Sequence, residues 1–209
     1  MSGFNFALFV MSISALILGI TVHEWSHAIV ADKLGDDTPR RQGRVTLWPL
    51  AHLDPVGTLL MVVSALVGFG IGWGRPVQTD PRNYRINRRI ADSLVSFAGP
   101  LSNLVIAAVF ALLLRSGLVR DEAFLAWAIV TVSVNIFLFL FNLLPIFPLD
   151  GSHLLANALS PSIAEKYRDF MMRYGIFLFI GLVMFGKLSV LLTPAHDTIY
   201  RLLLGSPAG

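Results

Sequence analysis

Apolar runs separated by short polar stretches, many rich in glycine, proline or arginine, divide the chain into segments. The first run extends from Phe4 to Val22 without a charge, and a helix is expected to continue to about Leu34. Val56 to Trp73 is uncharged and ends among Gly68, Gly70, Gly72 and Gly74. Ile90 to Leu114 carries Asp92, Gly99-Pro100 and Asn103 within it. Ala123 to about Leu144 leads into Asn142-Leu-Leu-Pro145-Ile-Phe-Pro148-Leu-Asp150-Gly151. Phe170 to Leu192 has Arg173 at its start and Lys187 near its end, and residues 196–204 read as a short amphipathic tail helix. The pattern predicts an all-α polytopic membrane protein of about five to six apolar segments, with a short extended or β element between the first and third helices. It forms one membrane-embedded domain over residues 1–209, with a core at 4–155 and a C-terminal helix and tail at 162–209.

Composition supports this class. The chain is 55% hydrophobic and only 14% charged, with mean hydropathy +0.70, whereas soluble domains carry about 25% charged residues. No Lys or Arg precedes the first apolar run and no small-residue cleavage site precedes the histidines described below, so the first span is expected to be retained. With no cysteine, any metal must be held by His and carboxylate. A net charge of +3 and a pI near 9.6 set orientation in the bilayer and do not call for nucleic acid.

Lys33, Arg40, Arg41 and Arg44 precede the second apolar segment, and Arg75, Arg82, Arg85, Arg88 and Arg89 follow it. Short basic loops stay cytoplasmic, so both cannot do so if Val56–Trp73 crosses once. A re-entrant segment resolves this and puts twelve of the sixteen Lys and Arg residues inside. The alternative is a full crossing with a weak charge bias.

The chemistry begins at His23-Glu24-Trp25-Ser26-His27, an H-E-x-x-H sequence at the end of the first apolar run. Histidines four apart share one helix face and reach one metal, while the Glu beside the first can hold a water. Ionisable groups at membrane depth mark function by default. A catalytic zinc takes three protein ligands and a water. Asp150 is the best third ligand, because Pro145 and Pro148 break the fourth helix and free the chain to turn a carboxylate inward. Glu24 is the expected general base, with the pKa of zinc-bound water lowered to about 7. Asn142 is a candidate for oxyanion stabilisation, or else it bonds the carbonyls freed near Pro145.

Other polar residues have plainer readings. Asp54 caps a helix that starts at Pro55, and His52 is an accessory candidate near metal or substrate. Gly99-Pro100 and Asn103 favour close helix approach and an interhelical hydrogen bond over a direct catalytic part. His153 reads as interfacial or adjacent to the site, and His196 as solvated. The 73–89 stretch reads as a solvated loop on anionic headgroups. Arg44–Leu47 and Pro76–Thr79 are extended pieces able to offer a strand edge to a substrate.

Together, HEWSH at 23–27, Gly99-Pro100-Leu101-Ser102-Asn103 and the run from Asn142 to Gly151 resemble the site-2 protease family of intramembrane zinc metalloproteases. His52–Pro55 and Gly72–Val77 resemble its compact prokaryotic branch, although Arg75 stands where that branch often has a small residue. The resemblance covers residues 4–155. It implies that His23, His27 and Asp150 bind one zinc, that Glu24 is the base, and that Asn142 assists at the substrate carbonyl. It also implies transmembrane protein substrates and a multi-pass protein of the cell membrane whose site opens toward the cytosol. A non-catalytic metal-binding membrane protein, either a transporter or a scaffold for transmembrane helices, is the alternative.

Overall fold

The computed structural model describes residues 5–66, 72–184 and 186–205. Its helices are α1 (Phe6–Lys33), the short α2 (Thr38–Arg41), α3 (Pro55–Leu66), α4 (Arg88–Ser116), α5 (Glu122–Asn142), α6 (Asp150–Ala158), α7 (Pro161–Met184) and α8 (Lys187–Leu204). Side-chain caps start several of them: Asn5 accepts from Leu8 N–H, Asn87 from Arg89 N–H, and Asp121 from Phe124 N–H. Asp54 accepts from Gly57 N–H at 2.8 Å with Pro55 in the first helical position, as the sequence suggests.

α1, α4 and α5 form the central bundle, and these are the three helices long and apolar enough to cross a membrane. Their mutual faces are built from small residues repeating every four positions. Ala15, Gly19, His23, His27 and Ala31 line α1, while Ala91, Val95, Gly99, Asn103, Ala107 and Ala111 line α4, and all are buried. Without a hydrophobic driving force between helices in lipid, association relies on such close backbone approach. The C-terminal helix α8 closes the far end, with Ile199, Tyr200, Leu203 and Leu204 packed against Ala107, Ala111, Val132 and Ile136.

Five to six apolar segments were expected; among the described residues three helices are long and apolar enough to span, or four if the bent pair α7–α8 forms one span. The predicted fifth segment is interrupted, because α7 ends at Met184 and α8 begins at Lys187 after Gly186 in the left-handed region (φ 63°), bent by 77°. The tail helix at 196–204 is therefore the second half of α8.

No strand occurs among the described residues; an isolated antiparallel bridge, Leu53 to Gly74, stands where the β element was expected. The Arg75 amide donates to His52 O at 2.7 Å beside it. Beyond it Pro76 has no amide hydrogen to donate, and the opposite side of the pair turns into a 3-10 helix over Pro49–Ala51. His196, expected to be solvated, is half-buried and lies 3.0 Å from Ser133 Oγ on α5.

The bridge also bears on the second apolar segment. α3 has 12 residues, about 18 Å of helix, short of a hydrocarbon core of about 30 Å. The two ends of the segment meet at Leu53 and Gly74, and Cβ atoms placed on Gly57 and Gly72 would strike Trp73 and Met61. Residues 67–71 lie outside the described residues.

Candidate metal centre

His23 and His27 point from α1 toward α4, and Asp150, the first residue of α6, meets them. One ligand atom of each lies within 4.8 Å of the others. His23 Nε2 is 3.1 Å from Asp150 Oδ2, His27 Nε2 is 3.4 Å from Asp150 Oδ1, and the two Nε2 atoms are 3.0 Å apart.

The local sequence explains how Asp150 arrives there. α5 stops at Asn142, the chain turns through Pro145 and Pro148, and α6 starts again at Asp150. Gly151 permits the turn, since a Cβ there would come 2.5 Å from Leu144 O and collide with the Leu143 carbonyl. On the opposite wall Gly99 leaves space for the imidazoles. A Cβ at that position would lie 2.6 Å from both His23 Nε2 and His27 Cε1.

The remaining ring nitrogens are fixed. His27 Nδ1–H donates to Val95 O at 2.6 Å, a partner that can only accept. His23 Nδ1–H donates to Asn103 Oδ1 at 2.8 Å. The orientation of Asn103 is set in turn, because its amide donates to Gly19 O at 3.1 Å and to Asn135 Oδ1 at 3.0 Å. Asn135 donates to Thr131 O at 2.9 Å. In neutral imidazoles so arranged, both Nε2 lone pairs face each other and a carboxylate. Asp150 Oδ2 is buried and has no hydrogen-bond partner. Three acceptors converging without a donor call for a cation, and two imidazoles with one carboxylate suit zinc. The residues present fit that ion.

Glu24 occupies the neighbouring turn. Its Oε2 accepts from Val77 N–H at 3.1 Å and lies 3.9 Å from the Arg44 guanidinium. Arg44 is almost fully buried (3% exposed) and donates to the carbonyls of Ala51 and Arg75, tying together both ends of the bridge. Burial pushes the Arg44 pKa below its ordinary value, against the raising effect of Glu24. Further out, Asp36 is fully buried and accepts from Thr38, Asp80 N–H and Asn83. The 75–80 segment is thus pinned at Arg75 by Arg44 and at Asp80 by Asp36.

The other candidates lie as follows. His52 is fully buried, and its Nε2–H donates to Thr46 O at 2.7 Å. Burial lowers its pKa, the Thr46 contact opposing. The Asn142 amide donates to Leu138 O at 2.9 Å, one turn back in α5, so one of its two N–H donors is engaged within its own helix. His153 is 4.0 Å from Asp92 Oδ2 and half exposed. Asn103 makes the interhelical hydrogen bonds expected of it and also holds His23. Asn135, Arg44 and Asp36 were not singled out in the sequence. The recurrence of small residues every four positions along α4 signals which face Asn103 shares, but nothing local to Asn135 or Arg44 names their partners.

Comparisons with known proteins identify the family. The model of peptidase family M50, the site-2 protease family, matches residues 116–182. YwhC of Bacillus subtilis, named as a candidate zinc metalloprotease, is 38% identical over 205 residues, covering 90% of this chain and 88% of that protein. Rip2 of Mycolicibacterium smegmatis, with the same designation, is 32% identical over 165 residues, and the match spans 59% of its length. MJ0611 of Methanocaldococcus jannaschii, also so designated, is 31% identical over 157 residues, covering 73% of this chain and 72% of that protein. No solved structure matches. With an H-E-x-x-H helix, a converging aspartate and a relative 38% identical over 90% of its length, the chain belongs to peptidase family M50.

Proposed function

We propose that this protein is an intramembrane zinc metalloprotease that hydrolyses peptide bonds in or near transmembrane segments of other membrane proteins. The observation that carries the reading is the convergence of His23, His27 and Asp150 with both Nε2 lone pairs unsatisfied, one turn from a carboxylate. His23, His27 and Asp150 would hold the zinc, which would supply Lewis acidity at the scissile carbonyl. Glu24 takes the proton of the attacking water and returns it to the leaving amine. Val77 N–H and Arg44 hold Glu24 in place while it does so. Asn103 fixes the tautomer and plane of His23, as the Val95 carbonyl does for His27. One N–H of the Asn142 amide is held by Leu138 O, and its second N–H is the donor left for a substrate carbonyl.

His27 and His23 lie six and ten residues before the end of α1, about 9 and 15 Å along the helix axis, which supports chemistry within the bilayer. The end of α1, the start of α4 and the α5–α6 turn share the end of the bundle that carries the basic loops, so the site is read as opening toward the cytosol. Residues 4–155 serve as the catalytic core, and the helix and tail at 162–209 lie outside it in sequence. Among the described residues a single group of three metal-binding side chains converges, whereas a metal transporter wants acceptors along a path.

The test pairs zinc content with cleavage of a panel of single-span proteins, for wild type and Glu24→Gln. Wild type should hold one zinc and cut; the variant should hold the zinc and lose at least ~10² in rate. Cleavage by Glu24→Gln at the wild-type rate would remove Glu24 from the reaction. Zinc in both forms with no cleavage by either would favour the non-catalytic reading.

A further inference from the structure

A cavity lies between α4 and α6, with a volume of about 400 Å³. Its wall is mostly apolar, formed by Ile90, Leu94 and Phe97 on α4 and Leu154 on α6. Ile90, Leu94 and Phe97 are 57%, 47% and 38% exposed, so the groove opens sideways to the surroundings of the bundle. Arg89 stands at its head, and from there to Phe97 the groove follows about 12 Å of helix.

Arg89 is the unusual member of this wall. The other polar side chains lining it are engaged: Ser93 Oγ donates to Arg89 O at 2.7 Å, and Asn157 donates to Asp92 at 2.6 Å while accepting from Arg168 at 3.3 Å. Some arginines of the basic loops sit on acids, Arg40 on Asp32, Arg41 on Asp37 and Arg82 on Asp80; of those without such a pair among the described residues, Arg89 is the one that lines the groove. The half-buried Arg89 side chain has no ion pair or hydrogen bond among the described residues. The amides of Arg89 and Ile90 are capped by Asn87, so the helix start is itself satisfied. What remains is a guanidinium without an anion, at the end of a spanning helix and above an apolar slot.

We propose that this groove binds one anionic phospholipid, with its phosphate on the Arg89 guanidinium and an acyl chain along Ile90, Leu94, Phe97 and Leu154. A guanidinium matches a phosphate with two parallel hydrogen bonds, and cationic pockets between spanning helices at the inner leaflet select anionic headgroups. The exposed Arg85 and Arg88 flank the same turn and add to the positive field. A zwitterionic lipid would bring a second cation into it, which disfavours choline headgroups. The site is separate from the metal centre, and the proposal depends only on the bundle lying in a membrane.

The experiment uses the full chain in detergent, with native mass spectrometry after addition of dioleoyl phosphatidylglycerol or dioleoyl phosphatidylcholine at equal concentration. Wild type should retain one phosphatidylglycerol in preference to phosphatidylcholine. Arg89→Gln should weaken that retention about tenfold, the value of a charge-assisted contact. Arg82→Gln, whose cation is held by Asp80 outside the groove, should behave as wild type. Leu94→Trp, which fills the slot but keeps Arg89, should also lose the bound lipid. Equal loss in Arg89→Gln and Arg82→Gln would reduce the effect to a general basic field and overturn the site. Equal retention of the two lipids by wild type, or crosslinking of a single-span peptide at Leu94 with lipid retention unaffected by Arg89→Gln, would overturn it as well.

Discussion

Gly99→Ala tests the metal centre with a single methyl group. Placed on the backbone, the new Cβ lies 2.6 Å from His23 Nε2 and from His27 Cε1, while relaxed contacts need about 3.5 Å. The imidazoles must therefore withdraw by about 1 Å, since α4 is clamped to α1 by Asn103 and cannot simply move away. Overpacking costs about 1–3 kcal/mol, and replacing a mid-helix glycine returns about 0.5–1 kcal/mol. The balance leaves a folded protein with a damaged site. A displacement of 1 Å at reacting groups costs on the order of 10² in rate, and His23 and His27 withdraw their zinc-binding nitrogens together. The assay is zinc per chain by mass spectrometry after mild chelation, beside cleavage of a single-span substrate and thermal unfolding. Gly181→Ala is the control, being helical with nothing within 4 Å of its added Cβ. Gly99→Ala should unfold within a few degrees of wild type yet lose zinc and about 10² in rate, while Gly181→Ala changes neither. Wild-type zinc and rate in Gly99→Ala would refute the close facing of Gly99 and the two imidazoles.

Asn103→Ala removes the acceptor from His23 Nδ1 and should weaken zinc retention about 10- to 100-fold; competition against a graded chelator series measures it, and unchanged retention would mean that another group orients the ring. Asp36 gives a pH dependence. Burial tends to raise its pKa, but hydrogen bonds from Asn83, Thr38 and the Asp80 amide outweigh it and hold the pKa below the ordinary 3.8. Because the folded pKa lies below the unfolded one, the contribution is complete above the ordinary carboxylate pKa and is lost as pH falls through the folded value. Unfolding temperature followed from pH 7 to 3 should drop less steeply in Asp36→Asn than in wild type, with the variant already less stable at pH 7. Parallel curves would dissociate Asp36 from acid sensitivity.

Much of the site was legible along the chain because it is local. His23, Glu24 and His27 lie within one and a quarter turns, and helical periodicity alone puts the two histidines on a common face. Asp150 was legible for a different reason: prolines before it and a glycine after it end one helix and begin another, and the open turn is where a carboxylate can be aimed. Asn142 shows where such reasoning stops. The same turn offers it two partners, a substrate carbonyl or its own helix, and the local sequence does not distinguish them; in the folded chain it bonds Leu138. The expected β element reduces, among the described residues, to one bridge, because Pro76 and the 3-10 turn at Pro49–Ala51 do not extend it. The fifth segment is bent, because hydropathy does not register a left-handed glycine at 186 as a break.

The sequence by itself determined that the protein is helical and apolar, that one helix carries two metal-binding histidines with a carboxylate beside them, and that cysteine takes no part. These properties depend on composition and on spacings of four residues or fewer. Tertiary structure decided which residues surround that helix. His23 meets Asn103 across 80 positions, His27 meets Val95 across 68, and Glu24 meets the Val77 amide across 53. No periodicity encodes such pairs, because they arise from the close approach of α1 and α4 along small-residue faces and from Arg44 and Asp36 pinning an extended segment against the site. The physical reason is burial: each polar group inside the bundle must find its partner within the protein, and only the packed helices fix which partner that is.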